Sequence, residues 1–365
     1  MPGLTAGDRV FHVTFGEGVV EGVRAEAATV RFAGGKPKTI LVSHLELRRR
    51  EGPPPRPADA GTLFDVYLMV DWSANGKPKT GSDSIWYCFL EPSEGRSFTR
   101  NPSTRQQAFE EIRNQLIELV ARGRRVLVGF DFPYGFPRGT AERLGFSGGP
   151  PWREMWDELS LLVEDGIGNQ NNRFTVAAEI NGAMTTGPAP FWGCPPGTAS
   201  AFLQAKKPQP WPTDIHEFRL AEKAVPGPKP IWQLLGAGCV GSQALLGIPR
   251  VAALRDDPAL QGVSQVWPFE IQAPPARVPS GDMGGVVYAE IYPSLVPPSL
   301  SEEIKDAGQV RALAEHFARL DDDGELSAAF DLSALPSESL HAASGEEGWI
   351  LGAKVDDGAS GGSDQ

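Results

Sequence analysis

Cysteine is scarce in this 365-residue chain. Its three cysteines, Cys88, Cys194 and Cys239, lie far apart and never form a C-x-x-C pair. A zinc cluster therefore has no framework, and an odd number of isolated thiols suits a reducing compartment better than a disulfide scaffold. Long apolar runs are also missing. None approaches the ~20 residues that a membrane-spanning helix needs, and the opening MPGLTAGDRV has neither the basic nor the apolar stretch of a secretory signal. A cytoplasmic protein with no membrane partner is expected. Positive charge is in short supply, with 34 Lys and Arg against 46 Asp and Glu, a net −12. That excludes a surface built for general nucleic-acid binding but leaves room for a local basic groove. What is abundant is Pro (33) and Gly (42), which predict long irregular connections. The length suits one large domain plus a small one.

The most informative feature is a set of carboxylates placed on or beside apolar runs. Asp71 closes VYLMVD, Asp131 closes RRVLVGFD and Glu290 closes GGVVYAE. Glu346 and Glu347 open EEGWILGA, which reads as a short helix. A desolvated carboxylate is disfavoured unless something compensates it, and a divalent cation is the usual compensator. Acids from neighbouring strands and one late helix can hold two Mg²⁺ or Mn²⁺ ions about 4 Å apart, one activating water and one steadying the leaving oxygen. Oxygen ligands suit such hard cations. Asp71, Asp131, Glu290 and Glu347 are thus candidate catalytic residues, and Asp71, Asp131, Glu290 and Glu346 candidate metal ligands. The plainer alternative is a capped surface acid at each strand end and, for the two glutamates, a helix start favoured by the dipole.

Residues 1–50 read as short strands. GDRVFHVTFGEGVVEGV gives two around a glycine turn, and ATVRFAGG with PKTILVSH gives two more around Gly34-Gly35. A closed hydrophobic set of this length suggests a small barrel. The run GDRV-x-H-x-x-FGEG-x-V, followed by TVRF and LELR, resembles the Tudor-like, SH3-like barrel at the C-terminus of UvrD/PcrA-type helicases. The resemblance implies a protein partner, in that family RNA polymerase. Residues 51–63 form a Pro-rich linker. Up to Ala60 there are nine Lys/Arg and seven Asp/Glu, a balance of +2, which leaves 25 and 39, a balance of −14, for the rest. Arg48, Arg49 and Arg50 make a small basic cluster.

Residues 64–355 read as an α/β domain. VYLMVDWS, SIWYCFLE and RSFTR are successive strands. A helix follows, with Phe109, Ile112, Leu116, Ile117 and Val120 on one face. RRVLVGFD is apolar throughout, so it is expected to be buried on both sides of a sheet. Three strands, a helix and a buried strand open a ribonuclease H-like mixed sheet, in which Asp71 and Asp131 would sit side by side. Residues from about 136 to 283 read as a large insertion packed over the site. Residues 301–326 hold a helix of about 16–20 residues, with Ser301 as its N-cap and Glu302 and Glu303 in its first turn. Residues 356–365 form an acidic, disordered tail.

VDWSA, DSIW, VGFDFPYGFP, PFWG, GxGxVGSQALLGIP, VWPFE, AEIYPSL and EEGWILG occur in one order from Tyr67 to Gly352. Together they resemble an uncharacterised bacterial family with a ribonuclease H-like core, often labelled cobalamin- or molybdopterin-biosynthesis proteins. In a broader group of similar proteins a first-strand Asp, a D-x-P-x-G turn and an E-x-x-P strand end line one cleft. The resemblance places these on Asp71, on Asp131 with Pro133 and Gly135, and on Glu290 with Pro293. The group's Asp-rich last helix is replaced here by Glu346 and Glu347.

Other residues carry weaker signals. Gly236 to Gly241 matches GxGxxG, but no βαβ unit surrounds it. A phosphate-facing helix start is the better reading, with Gly238, Gly241, Ser242 and Gln243 as candidate cofactor-binding residues; a tight turn packing a helix is the simplest. Arg173, Arg219, Lys206 and Lys207 could meet an anion. Trp192, Trp211, Trp232 and Trp267 could stack bases, although beside prolines they suit loop anchoring. His216 reads as structural. Cys239 lacks a neighbouring base for a nucleophile's role. The expectation is a metal-dependent phosphodiesterase or nuclease acting on nucleic acid or a nucleotide. The alternatives are a non-enzymatic adaptor for a nucleic-acid-processing partner and a nucleotide-binding phosphotransferase of the actin/sugar-kinase type.

Overall fold

Alternating small apolar residues build the first element of structure. Val20, Ala28 and Val30 are fully buried, with Val23 and Ile40 packed against them, on one side of a small antiparallel sheet. The computed structural model describes residues 9–12, 16–24, 27–32, 36–41, 46–47, 61–227, 229–271 and 284–354. The chain divides into two units, Met1–Pro55 and Arg56–Gln365. The first holds β1 (Arg9–His12), β2 (Gly16–Arg24), β3 (Ala27–Phe32), β4 (Lys38–Leu41) and β5 (Glu46–Leu47), in spatial order β4-β3-β2-β1-β5. A register shift between Val20 and Gly22 places a bulge in β2. Among the described residues β4 and β5 are edges with one partner each, so the expected closed barrel is seen as an antiparallel sheet. The Gly34-Gly35 turn, Arg48–Arg50, the linker up to residue 60 and the acidic tail lie outside the described residues.

The second unit is a mixed α/β fold. Its sheet joins β6 (Val66–Asp71), β7 (Trp86–Glu91), β8 (Arg96–Arg100), β9 (Arg125–Phe130), β10 (Ser264–Val266) and β11 (Gly285–Glu290) in the order β10-β11-β9-β6-β7-β8. The first four strands in that order run parallel, while β7 is antiparallel to both neighbours. Strand period 2 splits the side chains between two cores. Val66, Leu68, Val70, Val128, Phe130 and Tyr288 point into one, with α1 (Arg105–Ala121), α3 (Pro151–Leu162), α4 (Arg173–Thr185) and α6 (Gly241–Arg255). Tyr67, Met69, Leu127, Val287, Ala289 and Ile291 point into the other, under α7 (Lys305–Asp322) and the C-terminal segment. Burial on both faces is why these strands lack polar alternation.

The expected helix after RSFTR is α1. Thr104 caps it, its Oγ1 accepting the Gln107 N–H at 3.1 Å, worth about 1 kcal/mol. The region read as an insertion supplies α2 (Thr140–Arg143), α3, α4, α5 (Leu220–Lys223) and α6, and also strand β10 at the sheet edge.

Two expectations need correction. α7 begins at Lys305, three residues beyond the expected start, with Ile304 at the N-cap and no side-chain cap. Ser301 bonds the Ser299 hydroxyl instead. Glu346 and Glu347 also do not open a helix. They close one: α9 (Ser337–Ala342) runs into a π-turn over Ala343–Glu347, which stops at Gly348 with φ +74°. The dipole argument for those two acids therefore falls.

Candidate active cleft at the ends of the central strands

Parallel pairing of β6 with β9 puts Val70 opposite Phe130. One residue further, the Asp131 N–H donates to the Val70 carbonyl at 3.2 Å. The Asp131 carboxylate then takes over from the backbone, its Oδ1 accepting the Trp72 N–H at 2.7 Å. Asp71 and Asp131 thus leave the same sheet face beside each other, and their side chains hydrogen-bond. Two carboxylates in that contact cannot both stay ionised. Burial, then repulsion from Asp131 and Asp306, raises Asp71 well above the usual carboxylate range. Burial pushes Asp131 up to about 7, against the hydrogen bonds it accepts from Trp72 and Asp71. The metal-free pair therefore holds a proton, with Asp71 as donor.

A third acid joins them from a place the sequence did not suggest. Asp306 lies in the first turn of α7, the helix packed on the face from which Asp71 and Asp131 emerge. Its Oδ2 accepts the N–H of Asp83, in the β6–β7 connection, at 2.7 Å. Asp71, Asp83 and Asp306 line one side of a cleft of about 410 Å³; Arg173, Leu234 and Ser242 line the other. The two sides come from opposite faces of the sheet, so the cleft straddles its edge at the carboxyl end of β6, where open α/β sheets commonly take ligands. Arg105 holds its floor. The buried guanidinium pairs with Asp165 at 2.6 Å and donates to the carbonyls of Ser73 and Asn75 at 2.9 and 2.8 Å.

The donors near Asp71 are hard carboxylate oxygens, which suit Mg²⁺ or Mn²⁺. Among the described residues, no three His, Cys, Asp or Glu side chains stand close enough to hold a metal by themselves. The pair and Asp306 fit the other arrangement that Mg²⁺ uses, one or two carboxylates with water and substrate phosphate oxygens completing the shell.

Glu290, Glu346 and Glu347 are not brought to this cleft. Glu290 shares its register with Phe130, one step out of phase with Asp131, and so leaves the opposite face. There the buried Arg219 grips both of its oxygens at 2.6 and 2.8 Å, and the Tyr134 N–H adds a third bond at 3.1 Å. Arg219 also pairs with Glu222 at 3.0 Å and donates to the Glu347 carbonyl at 2.8 Å. Burial pulls its guanidinium down, but the two glutamates outweigh this and raise it. Glu347 accepts the backbone N–H groups of Arg138 and Leu220. Glu346 accepts those of Gly139 and Ala141 at the start of α2. A Cβ on Gly135 would fall 2.1 Å from the Glu346 carbonyl oxygen. These acids therefore stitch the residue 133–141 loop, α5 and the end of β11 together.

The glycine segment contributes to the wall. Gly236 and Gly238 adopt φ of +130° and +70°, where a side chain is strained. Gly241 is needed for packing, since a Cβ there would sit 2.1 Å from the Ile231 carbonyl oxygen. Ser242 donates to the Leu234 carbonyl at 2.6 Å and accepts from Arg173 Nε at 2.9 Å; Gln243 ties α6 to the Trp72 carbonyl at 2.5 Å. Both side chains are engaged within the protein. Trp211, Trp232 and Trp267 are anchors, with indole N–H groups on the carbonyls of Ile215, His216 and Phe330. Cys239 lines the cleft half-buried, and burial raises its thiol.

Comparison with known proteins adds no relative: no protein-family model matches the chain, and no curated protein or solved structure matches it either.

Proposed function

We propose that the large unit is a metal-dependent phosphoester hydrolase built on a ribonuclease H-like core. Three meandering strands, a helix and a parallel strand beside the first support that core. The observation that carries the activity is the proton-sharing pair Asp71 and Asp131 at a sheet edge, with Asp306 beside it. In this reading the Asp71 and Asp131 carboxylates would hold Mg²⁺ or Mn²⁺, with Asp306 reaching it through water, and the ion when bound would supply Lewis-acid activation of water and charge neutralisation at phosphate. Asp131 is held in place by the Trp72 N–H, and Asp71 would have to give up its proton to serve as a ligand. Glu290, Glu346 and Glu347 keep the scaffold rigid and take no part in ligation.

The first unit, by its resemblance to helicase-type Tudor-like barrels, is proposed to engage a protein partner such as RNA polymerase. Three unpaired thiols, of which Cys88 and Cys194 are buried, support a reducing, cytoplasmic setting. Among the described residues no helix is long and apolar enough to cross a membrane.

The test uses the full-length protein. Mn²⁺ binding followed by electron paramagnetic resonance, and hydrolysis of bis-p-nitrophenyl phosphate, should both be lost in Asp71→Asn and Asp131→Asn. Glu290→Gln, if it folds, should retain Mn²⁺ binding. Equal Mn²⁺ binding by wild type and Asp71→Asn would end this reading.

A further inference from the structure

Arg173 is the exception among the arginines of the large unit. Every other described arginine there that is not exposed has a carboxylate within 4.0 Å, from Arg105 with Asp165 to Arg311 with Glu302. Arg173 has none among the described residues. It opens α4, lies 4.3 Å over the Phe174 ring and, among the described residues, donates only to neutral oxygens, Ser242 Oγ at 2.9 Å and Asn171 Oδ1 at 2.7 Å. Its Nη2 donates to no described residue. Burial, with repulsion from Arg105, brings its guanidinium down to about 10. A half-buried cation without an anion is costly to keep, and this one faces the cleft across from the aspartates.

We propose that Arg173 is the recognition residue of an anion subsite in this cleft, one that takes the phosphate of a small phosphoester rather than a polynucleotide backbone. The inference rests on the metal-dependent reading of the same cleft and narrows its substrate class. Guanidinium is suited to phosphate because its planar donors pair with two oxygens at once. A polynucleotide track needs several cations along a groove, and among the described residues Arg173 is the sole Lys or Arg lining this cleft. The volume of about 410 Å³ matches a small-molecule site. The exposed Leu235 supplies apolar surface for the organic group of the ester, while Trp72 and Leu234 are buried behind the wall. The aspartates and Arg173 then divide the work. A cation held by the carboxylates would neutralise phosphate charge, while Arg173 would pair with phosphate oxygens and fix the group's orientation.

AMP binding by calorimetry tests this, with wild type, Arg173→Gln and Arg173→Lys, each in Mg²⁺ and in EDTA. Arg173→Gln should bind AMP about tenfold to a hundredfold more weakly in both buffers, the range for a lost charge-assisted bond. Arg173→Lys should recover only part of that loss, because the charge is kept but the planar two-oxygen pairing is not. Thermal unfolding and unchanged Mn²⁺ resonance show that the variants are folded. Wild-type affinity in Arg173→Gln, or no AMP binding by wild type, overturns the proposal. So does a short single-stranded oligonucleotide that wild type binds more than about tenfold tighter than AMP, since additional phosphate contacts would then exist. AMP binding in EDTA that depends on Arg173, in a protein that binds no Mn²⁺, would uphold the subsite and reject the metal reading.

Discussion

Replacing Asp71 with Asn should make the metal-free protein more stable while destroying its affinity for a divalent cation. The reason is the proton held between Asp71 and Asp131. In the unfolded chain both carboxyls ionise near 4. In the folded chain Asp131 is pushed up to about 7, and Asp71 is raised well above its ordinary value, by burial first and then by its acidic neighbours. Below pH 4 both states are protonated and the pair costs nothing. As pH rises, the unfolded chain gives up protons that the folded chain retains, so stability falls until the folded-state values are passed. Burial of Asp131 persists in the variant, so what is relieved is the cost at Asp71 itself, raised well above its ordinary value; at about 1.36 kcal/mol per pH unit that cost is on the order of a few kcal/mol. The substituted asparagine carries no charge, and its amide can donate to Asp131 where the shared proton did. Recovery of about 2 kcal/mol at pH 8 is expected, or roughly 4 °C in Tm.

The assay is thermal unfolding in EDTA at pH 4 and pH 8, repeated with Mn²⁺. Asp71→Asn should match wild type at pH 4 and exceed it at pH 8. Mn²⁺ should raise the Tm of wild type, because binding to the folded state alone stabilises it, and should leave the variant unmoved. A variant less stable than wild type at pH 8 in EDTA would show that the pair carries no electrostatic strain, and the reason for placing a cation there would go with it.

Three further outcomes follow from the same geometry. Asp306→Asn should weaken Mn²⁺ binding about tenfold without abolishing it, measured by resonance titration, because Asp71 and Asp131 remain. Arg219→Ala should lower stability by about 3–5 kcal/mol in urea unfolding, since Glu290 and Glu222 would be left buried without their counter-charge; an effect under about 1 kcal/mol would contradict the network. Gly135→Ala should cost about 1–3 kcal/mol or more, read as a lower Tm, because the new methyl group would meet the Glu346 carbonyl at 2.1 Å.

The core of the fold was readable because its signals are local. VYLMVD and RVLVGF are too uniformly apolar to be anything but strands covered on both faces, and α1 carries its own cap and spacing. Asp71 and Asp131 were legible for the same reason, since each ends such a strand. Glu290 showed the same local signal and led elsewhere. What separates it from Asp131 is register: β11 pairs Glu290 with Phe130, and one residue of offset sends a side chain to the other face. No feature of GGVVYAE alone reveals that offset. Nor does HEFRLAE show that Arg219 will meet an acid 71 residues away.

Asp306 was missed through an error of three residues. Ser301 followed by Glu302 and Glu303 makes a strong local helix start, and it assigns Asp306 to the body of the helix. The chain begins α7 at Lys305 instead, with Ile304 at the cap position. Gly308 shows one constraint on that choice. Its N–H donates to the Ile304 carbonyl at 3.0 Å, and a Cβ at residue 308 would sit 2.6 Å from the Ser299 carbonyl oxygen. Residues 299–304 therefore cross close over the first turn, and a helix begun at Glu302 would have to occupy the space they fill. With the start at Lys305, Asp306 becomes a first-turn residue beside the strand ends, where the helix dipole favours a carboxylate. The third acid of the cleft thus depends on a backbone contact between residues 299 and 308, a tertiary constraint that the local pattern of acids does not contain.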